Sequence, residues 1–401
     1  MNLLNLFKYF LKASKNSKAV VEPQLGFWND LNNKCGSIKH EDGGLKNGGY
    51  EDVKNIGRPI GRPIGRPICV LAPMADVTDC AFRYVINKYG KPDVLWTEFV
   101  SADGLVRASP VGKKKLLADL KFEKEEKLIV AQLFGSNPKY MEEACKIVAD
   151  LGYDGIDLNM GCPDKSIERQ KAGASMMKNP KLAKEIIFAA KRGAPNIPIT
   201  VKTRVGYNKD ELDSWLRNIL EASPAVVTIH ARTRKEMSKV PADWNYVKRA
   251  VAIRNEFQKD LIVTGKQHTL IFGNGDVTSV ADAYNKAEES EADGVMIGRG
   301  IFGNPWLFSA LQKPITRNAS GDFDVVQNEP SLEEKLNVML EHTQKFQDEL
   351  GGIKNFAVMK KHFKAYVNGF DGAKELRAEL METNNAEEVR EVILRFLSKI
   401  D

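Results

Sequence analysis

The sequence predicts an α/β protein: a (β/α)8 TIM barrel followed by a small all-helical C-terminal domain and preceded by an irregular N-terminal extension. Three observations carry that expectation. Between Ile68 and about Lys313 short apolar runs alternate with amphipathic stretches, the order that builds a parallel sheet covered on both sides by helices. The runs number about eight, enough to close such a sheet into a barrel, over a span near the ~250 residues usual for that fold. Beyond Trp306 the strand pattern stops and the chain reads as helix.

Residues 1–67 form the extension. Leu3, Leu6, Phe7, Phe10 and Leu11 recur at helical spacing, with Lys8, Lys12 and Lys15 elsewhere, giving a short basic amphipathic helix expected to dock on the protein's own body. Lysine interrupts its apolar stretch and no small-residue cleavage site follows, so a secretory signal is not expected. From Ala13 to Ile68 Gly, Asn, Lys and Ser dominate, which predicts a largely irregular arm. It ends in GRPIGRPIGRPI, whose prolines favour an extended path made basic by Arg58, Arg62 and Arg66 and read as a linker.

Residues 68–328 form the barrel. Strands are expected at 68–71, 94–97, 127–133, 155–158, 198–202, 226–230, 270–273 and 294–297. Helices are expected at 79–88, 138–151, 180–191, 209–221, 245–257 and 279–288. A second apolar run at 261–263 competes for the seventh strand; the later run is preferred because the polar turn Gly273-Asn274-Gly275-Asp276 follows it directly.

Residues 329–401 form the helical domain. Ser331 with Glu334 makes a capping box that opens a helix to about Leu350. Phe356, Met359, Phe363, Tyr366 and Phe370 then recur at helical spacing, while Lys354, Lys360, Lys361 and Lys364 mark another face. No acidic residue lies between Gly351 and Phe370, so this face is either a solvated helix surface or one suited to a phosphate backbone.

Composition sets wide bounds. Charged residues at 28% and apolar residues at 43% suit a soluble globular protein, and the net charge of +6 permits an anionic partner such as RNA. Cys35, Cys69, Cys80, Cys145 and Cys162 form no C-x-x-C pair, so neither a disulfide framework nor a metal site is expected, and a reducing, cytoplasmic setting fits. No apolar run is long enough to predict a membrane span.

In a barrel of this kind chemistry gathers at the C-terminal strand ends. Those ends carry Pro73-Met74-Ala75, Glu98, Gln132, Asn159 with Cys162, Lys202 with Arg204, His230 with Arg232, Asn274-Gly275-Asp276 and Gly298-Arg299-Gly300. Cys162, between a glycine and a proline, is either a thiol on a turn facing a pocket or one more small buried cysteine, and the small residues Ala172, Gly173, Ala174 and Ser175 let backbone approach a ligand closely. The glycines of Gly298-Arg299-Gly300-Ile301-Phe302-Gly303 have dinucleotide-fingerprint spacing, but no parallel strands follow. A phosphate loop after strands seven and eight, with a helix N-terminus behind it, explains them better. Lys202 suits the anionic edge of a reduced flavin or an ion pair with Asp157 or Glu98. Gln132 suits an isoalloxazine edge or is a satisfied polar residue; His230 contacts phosphate or caps its strand.

Together the segments LAPMADVTD, LNMGCP with its trailing KAGASMM, VKTR, HARTR, GNGD and GRGIFGNPW resemble those of the tRNA-dihydrouridine synthases over roughly residues 68–370. The resemblance implies an FMN-dependent barrel that reduces the C5=C6 bond of particular uridines in tRNA, with NADPH as electron donor. It places FMN on Pro73, Met74, Ala75, Gln132, Lys202, Asn274, Gly275, Asp276, Gly298 and Arg299 and makes Cys162 the proton donor, and His230, from its own strand end, is added as a candidate cofactor contact. Hydride from flavin N5 to uracil C6 then requires a proton at C5, and a thiol of pKa near ~8.5 is mostly protonated at neutral pH. Asn159, Arg204 and Arg232 join Lys360, Lys361 and Lys364 as candidate substrate and tRNA contacts, with the loop 164–171 as a lid beside the RNA. The protein is expected to act as a monomer. Two alternatives remain open on sequence: an FMN barrel oxidoreductase acting on a free pyrimidine of the dihydropyrimidine or dihydroorotate type, and a non-catalytic tRNA-binding protein.

Overall fold

A computed structural model describes residues 20–36, 66–326 and 329–399. Eight parallel strands run in the order β1 (Ile68–Leu71), β2 (Leu95–Ser101), β3 (Ile129–Phe134), β4 (Gly155–Met160), β5 (Ile199–Arg204), β6 (Val226–His230), β7 (Leu270–Asn274) and β8 (Gly294–Ile297). β8 pairs back onto β1, and a parallel bridge between Val70 and Val94 closes the ring at β1 and β2. The barrel expected from eight apolar runs is therefore present.

Strand boundaries differ from the sequence expectation in one consistent direction. β4, β5 and β7 continue past their apolar runs, because the backbone ladder still pairs Asn159 with Lys202, Arg204 with His230, and His230 with Asn274. Polar side chains begin where the strands reach the mouth, whereas hydrogen bonding does not stop there. Asparagine or aspartate caps the helices that follow: Asp79 for the helix Cys80–Tyr89, Asn137 for Pro138–Asp150 and Asn179 for Pro180–Gly193, the last two with proline at the first helical position.

Two expectations are corrected here. The arm is not irregular throughout, since Phe27–Gly36 is a helix that seals the bottom of the barrel. Trp28 is wholly buried there, its ring 5.7 Å from Trp96 and 5.5 Å from Phe272. The amphipathic segment 3–11 and the repeat up to residue 65 lie outside the described residues; Arg66, its last arginine, makes an ion pair with Asp93. The choice of the later run for the seventh strand is borne out, since β7 is Leu270–Asn274 and the rival run at 261–263 belongs to a short helix, Lys259–Val263. Directly after β8 the chain makes a short 3-10 turn, Arg299–Ile301, followed by a second at Leu307–Gln312, where a helix N-terminus behind the loop was expected.

The chain is not helical throughout beyond Trp306: a short hairpin, Ile315–Arg317 with Phe323–Val325, whose three-residue strands are too brief to show a pattern, leads to the C-terminal helices Leu332–Leu350, Lys360–Tyr366, Ala373–Glu382 and Ala386–Leu397. The capping box at Ser331 and Glu334 forms as expected. The core of this helical unit is continuous with the barrel: Leu336, Met339, Phe346 and Phe363 pack with Cys80, Ala81 and Val85 of the helix Cys80–Tyr89.

Candidate active site

The C-terminal strand ends enclose a cavity of about 600 Å³, within the usual range for a small-molecule site. It is lined by Pro73 and Met74 after β1, by Lys202, His230 and Asn274 at the ends of β5, β6 and β7, and by Gly275, Asp276, Gly298 and Arg299 of the following loops. The loops after β1, β5, β6, β7 and β8 thus converge as their sequence positions suggested. Ala72 and Gly300, which stand at the first and eighth strand ends, line it as well, together with Ser238, Val277, Thr278 and Met296, which were not singled out from sequence. Val277 and Thr278 could have been found as the continuation of the loop after β7, whereas Ser238 arrives through the fold of the loop after HARTR.

Lys202 makes neither of the ion pairs weighed from sequence. Its Nζ donates to Asn274 Oδ1 at 3.2 Å, while Glu98 is held by Lys354. Burial pushes the Lys202 amine down to about 8, against the pull of Asp157. An ammonium in that position favours an anionic ligand edge. His230 is neutral: burial chiefly, then the cations around it, hold it well below its usual range. Arg232 can only donate, so His230 Nε2 accepts from Arg232 Nη1 at 3.1 Å and the proton stays on Nδ1.

Cys162 is half-buried beside Phe99, Phe134, Ile167 and Ala172. Asn159 fixes its turn, with Oδ1 accepting from the backbone N–H of Gly161 at 3.1 Å and of Cys162 at 2.9 Å. Asn159 Nδ2 donates to Gln132 Oε1 at 3.0 Å, and Gln132 Nε2 donates to Asp157 Oδ2 at 2.6 Å. From the other side the Ala174 N–H donates to the Cys162 carbonyl at 2.9 Å. Gly173 allows that approach: its φ is +60°, and a Cβ there would lie 2.7 Å from the Cys162 oxygen. Burial raises the thiol pKa, which keeps the proton on sulfur at neutral pH.

Several sequence assignments change. The small residues 172–175 pack against the Cys162 turn itself, with Ala172 and Ala174 fully buried, so the close approach there is backbone to backbone. Cys162, expected to face a pocket, Gln132 and Ala75 fall outside the cavity lining; Cys162 packs beside Phe99, Phe134, Ile167 and Ala172, Gln132 spends both ends of its amide inside the wall, and Ala75 is exposed. Arg204 is buried and donates to the carbonyls of Gly161, Thr233 and Met237 at 2.8, 3.1 and 3.0 Å, so it braces the Cys162 loop where a tRNA contact was expected. Arg232, also buried, bonds Val240 O, His230 and Asp276 and ties the loops after β6 and β7 together. Lys360 caps the carbonyl of Met381, leaving Lys361 and Lys364 exposed. The expected lid is a short helix, Lys165–Arg169, anchored by Arg234 Nε to Glu168 Oε1 at 2.9 Å.

The family model for dihydrouridine synthase matches residues 70–400, which takes in the whole barrel and the helical unit. The chain belongs to the dihydrouridine synthase family. Among curated relatives, "Probable tRNA-dihydrouridine synthase" of Staphylococcus aureus (strain MRSA252) is 36% identical over 334 residues, covering 83% of this chain and 94% of the relative. "Probable tRNA-dihydrouridine synthase 2" of Bacillus subtilis (strain 168) is 37% identical over 333 residues, covering 82% and 94%. As a member of this family the protein is an oxidoreductase, and the Cys162 turn and the cavity are the places where its chemistry can be sought.

The cavity's donor set suits a flavin mononucleotide. Lys202 and Asn274, a buried cation and an amide hydrogen-bonded to each other, suit the polar edge of a ring. The glycine backbones and the Arg299 guanidinium suit a phosphate. Asp276 lines the cavity too, but Arg232 and Arg299 neutralise it, its carboxyl sitting below the usual range through the Arg232 bond. Since the 3-10 turn Arg299–Ile301 is too short to act as a helix terminus, phosphate binding there rests on the loop and on Arg299.

Proposed function

We propose that the protein reduces the C5=C6 bond of specific uridines in tRNA to 5,6-dihydrouridine, with FMN in the cavity and NADPH as electron donor. The observation that carries this reading is the Cys162 thiol: it is kept protonated on a rigid turn at the same barrel mouth as a cavity suited to a flavin. A bound FMN supplies the hydride. The protein's own residues do the rest. Pro73, Met74, Lys202, His230, Asn274, Gly275, Gly298 and Arg299 hold the cofactor, and Cys162 Sγ gives the proton to uracil C5. Asn159, through its two bonds to the turn, fixes where that proton is presented.

The helical unit, residues 329–401, contributes a tRNA-binding face at Lys361 and Lys364. The target base must leave its stack to reach a barrel mouth, so backbone contacts beside the pocket serve to hold the RNA open. The reading includes a monomer acting in a reducing cytoplasm. The test is single-turnover reduction of unmodified tRNA, read as dihydrouridine formed per bound flavin. Cys162→Ala is expected to keep the yellow cofactor and lose more than about 99% of the rate, in line with loss of a general acid. Normal reduction by that variant would remove Cys162 from the mechanism, and reduction of free uridine in preference to tRNA would overturn the substrate.

A further inference from the structure

We propose that Lys354 is a positioning residue for the flavin cavity, acting through Glu98 on the loop that carries Pro73 and Met74. The inference rests on the cofactor reading above. It starts from an irregularity in β2, whose pairing with β3 shifts register between Trp96 and Phe99. Such a bulge re-aims a side chain near a site, and here Glu98 lies within it, in the middle of β2. Glu98 is 4% exposed and bridges two segments that are far apart in sequence. Its Oε1 accepts from the backbone N–H of Asp76, and its Oε2 accepts from Lys354 Nζ at 2.5 Å. Lys354 belongs to the helical unit, just beyond the helix Leu332–Leu350, and also bonds Asp119 Oδ1 at 2.7 Å.

Asp76 shows what the bridge does. It has a φ of +52°, a left-handed conformation that a non-glycine residue holds only when its surroundings fix it. This turn directly follows Pro73 and Met74, and the Val77 and Thr78 N–H groups both fold back onto the Met74 carbonyl. Moving Asp76 therefore moves a wall of the cavity. Burial pushes the Glu98 carboxyl up to about 7, with Asp119 and Asp79 adding to it, and Lys354 is the main opposing charge. Without Lys354 the carboxyl would take up a proton and the bridge would lose its charge-assisted bonds. The docked position of the helical unit is thereby linked to the shape of the cofactor site by one buried ion pair.

Four full-length variants test this by FMN dissociation constant, measured by flavin fluorescence, with thermal melting in parallel. Lys354→Met and Glu98→Gln are expected to weaken FMN binding about tenfold. Lys354→Arg restores the charge and stays within about twofold, as does Lys88→Met, which breaks the Lys88–Glu341 pair elsewhere on the same seam. If Lys354→Met does not fold, Glu98→Gln decides alone, since it keeps the buried volume and an acceptor for Asp76. FMN affinity unchanged in Glu98→Gln, or lowered as much by Lys88→Met, overturns the proposal. A wild-type chain that binds no FMN would instead overturn the cofactor reading.

Discussion

Cys162 shows how far a single residue can be read. Its place between glycine and proline pointed to a turn, and the family resemblance supplied a role. The hydrogen bonds that hold it come from Asn159, three residues before it, and Ala174, twelve after it. The raised thiol pKa has a directional consequence for catalysis. The proton-donating form persists above the ordinary thiol range, so single-turnover reduction should hold its rate into alkaline pH and fall only when the thiol finally ionises. A pH profile of that step checks it, and a fall well below the ordinary thiol range would show a different acid. Arg204 and Arg232 illustrate the opposite case. Both stand at strand ends where a cation facing RNA is reasonable, and both are buried against carbonyl groups or, in Arg232, also Asp276. No local pattern distinguishes an arginine that meets a phosphate from one that braces a loop.

At the level of elements, apolar periodicity located every barrel strand, yet it missed one short helix. The run at 261–263 is too brief to separate a strand from a buried helix turn by pattern. The helix Phe27–Gly36 was hidden in a polar arm because it buries few large groups, Trp28 chief among them. That tryptophan fills the bottom of the barrel against Trp96 and Phe272. Trp28→Ala should cost about 3–5 kcal/mol of unfolding free energy by leaving a cavity. Chemical denaturation measures it, and a loss below about 1 kcal/mol would mean the helix is not seated there in solution.

Across the whole molecule, the helical unit and the barrel share one seam, and charge and acid sensitivity belong to that scale. Reversing Lys361 and Lys364 together should weaken tRNA binding and flatten the slope of log affinity against log salt by roughly 0.8 for each phosphate that is no longer neutralised. An unchanged slope would place the RNA elsewhere. Inside the seam His342 and His362 lie with ring centroids 4.7 Å apart, and both nitrogens of His342 and Nε2 of His362 lack hydrogen-bond partners. Burial pushes His342 down to about 3 and His362 well below its usual range, the latter also through His342 and Lys361. The unfolded chain takes up protons on both near pH ~6.5 while the folded chain does not, so they leave stability unaffected above that pH and lower it progressively below. Melting temperatures measured from pH ~7 to ~4 should fall less steeply in His342→Phe than in wild type.

The sequence by itself determined the barrel, the helical unit, the strand ends that gather at one mouth, and the cysteine among them. Those follow from periodicity and from short motifs whose residues are neighbours in the chain. Only the tertiary structure decided which of the polar residues face the cavity. Lys202 and Asn274 do, whereas Gln132, Arg204 and most of Arg232 are used up inside the walls. The physical reason is that a buried donor must be satisfied by whatever acceptor lies within about 3 Å, and that acceptor is set by how the loops cross, which no spacing along the chain records.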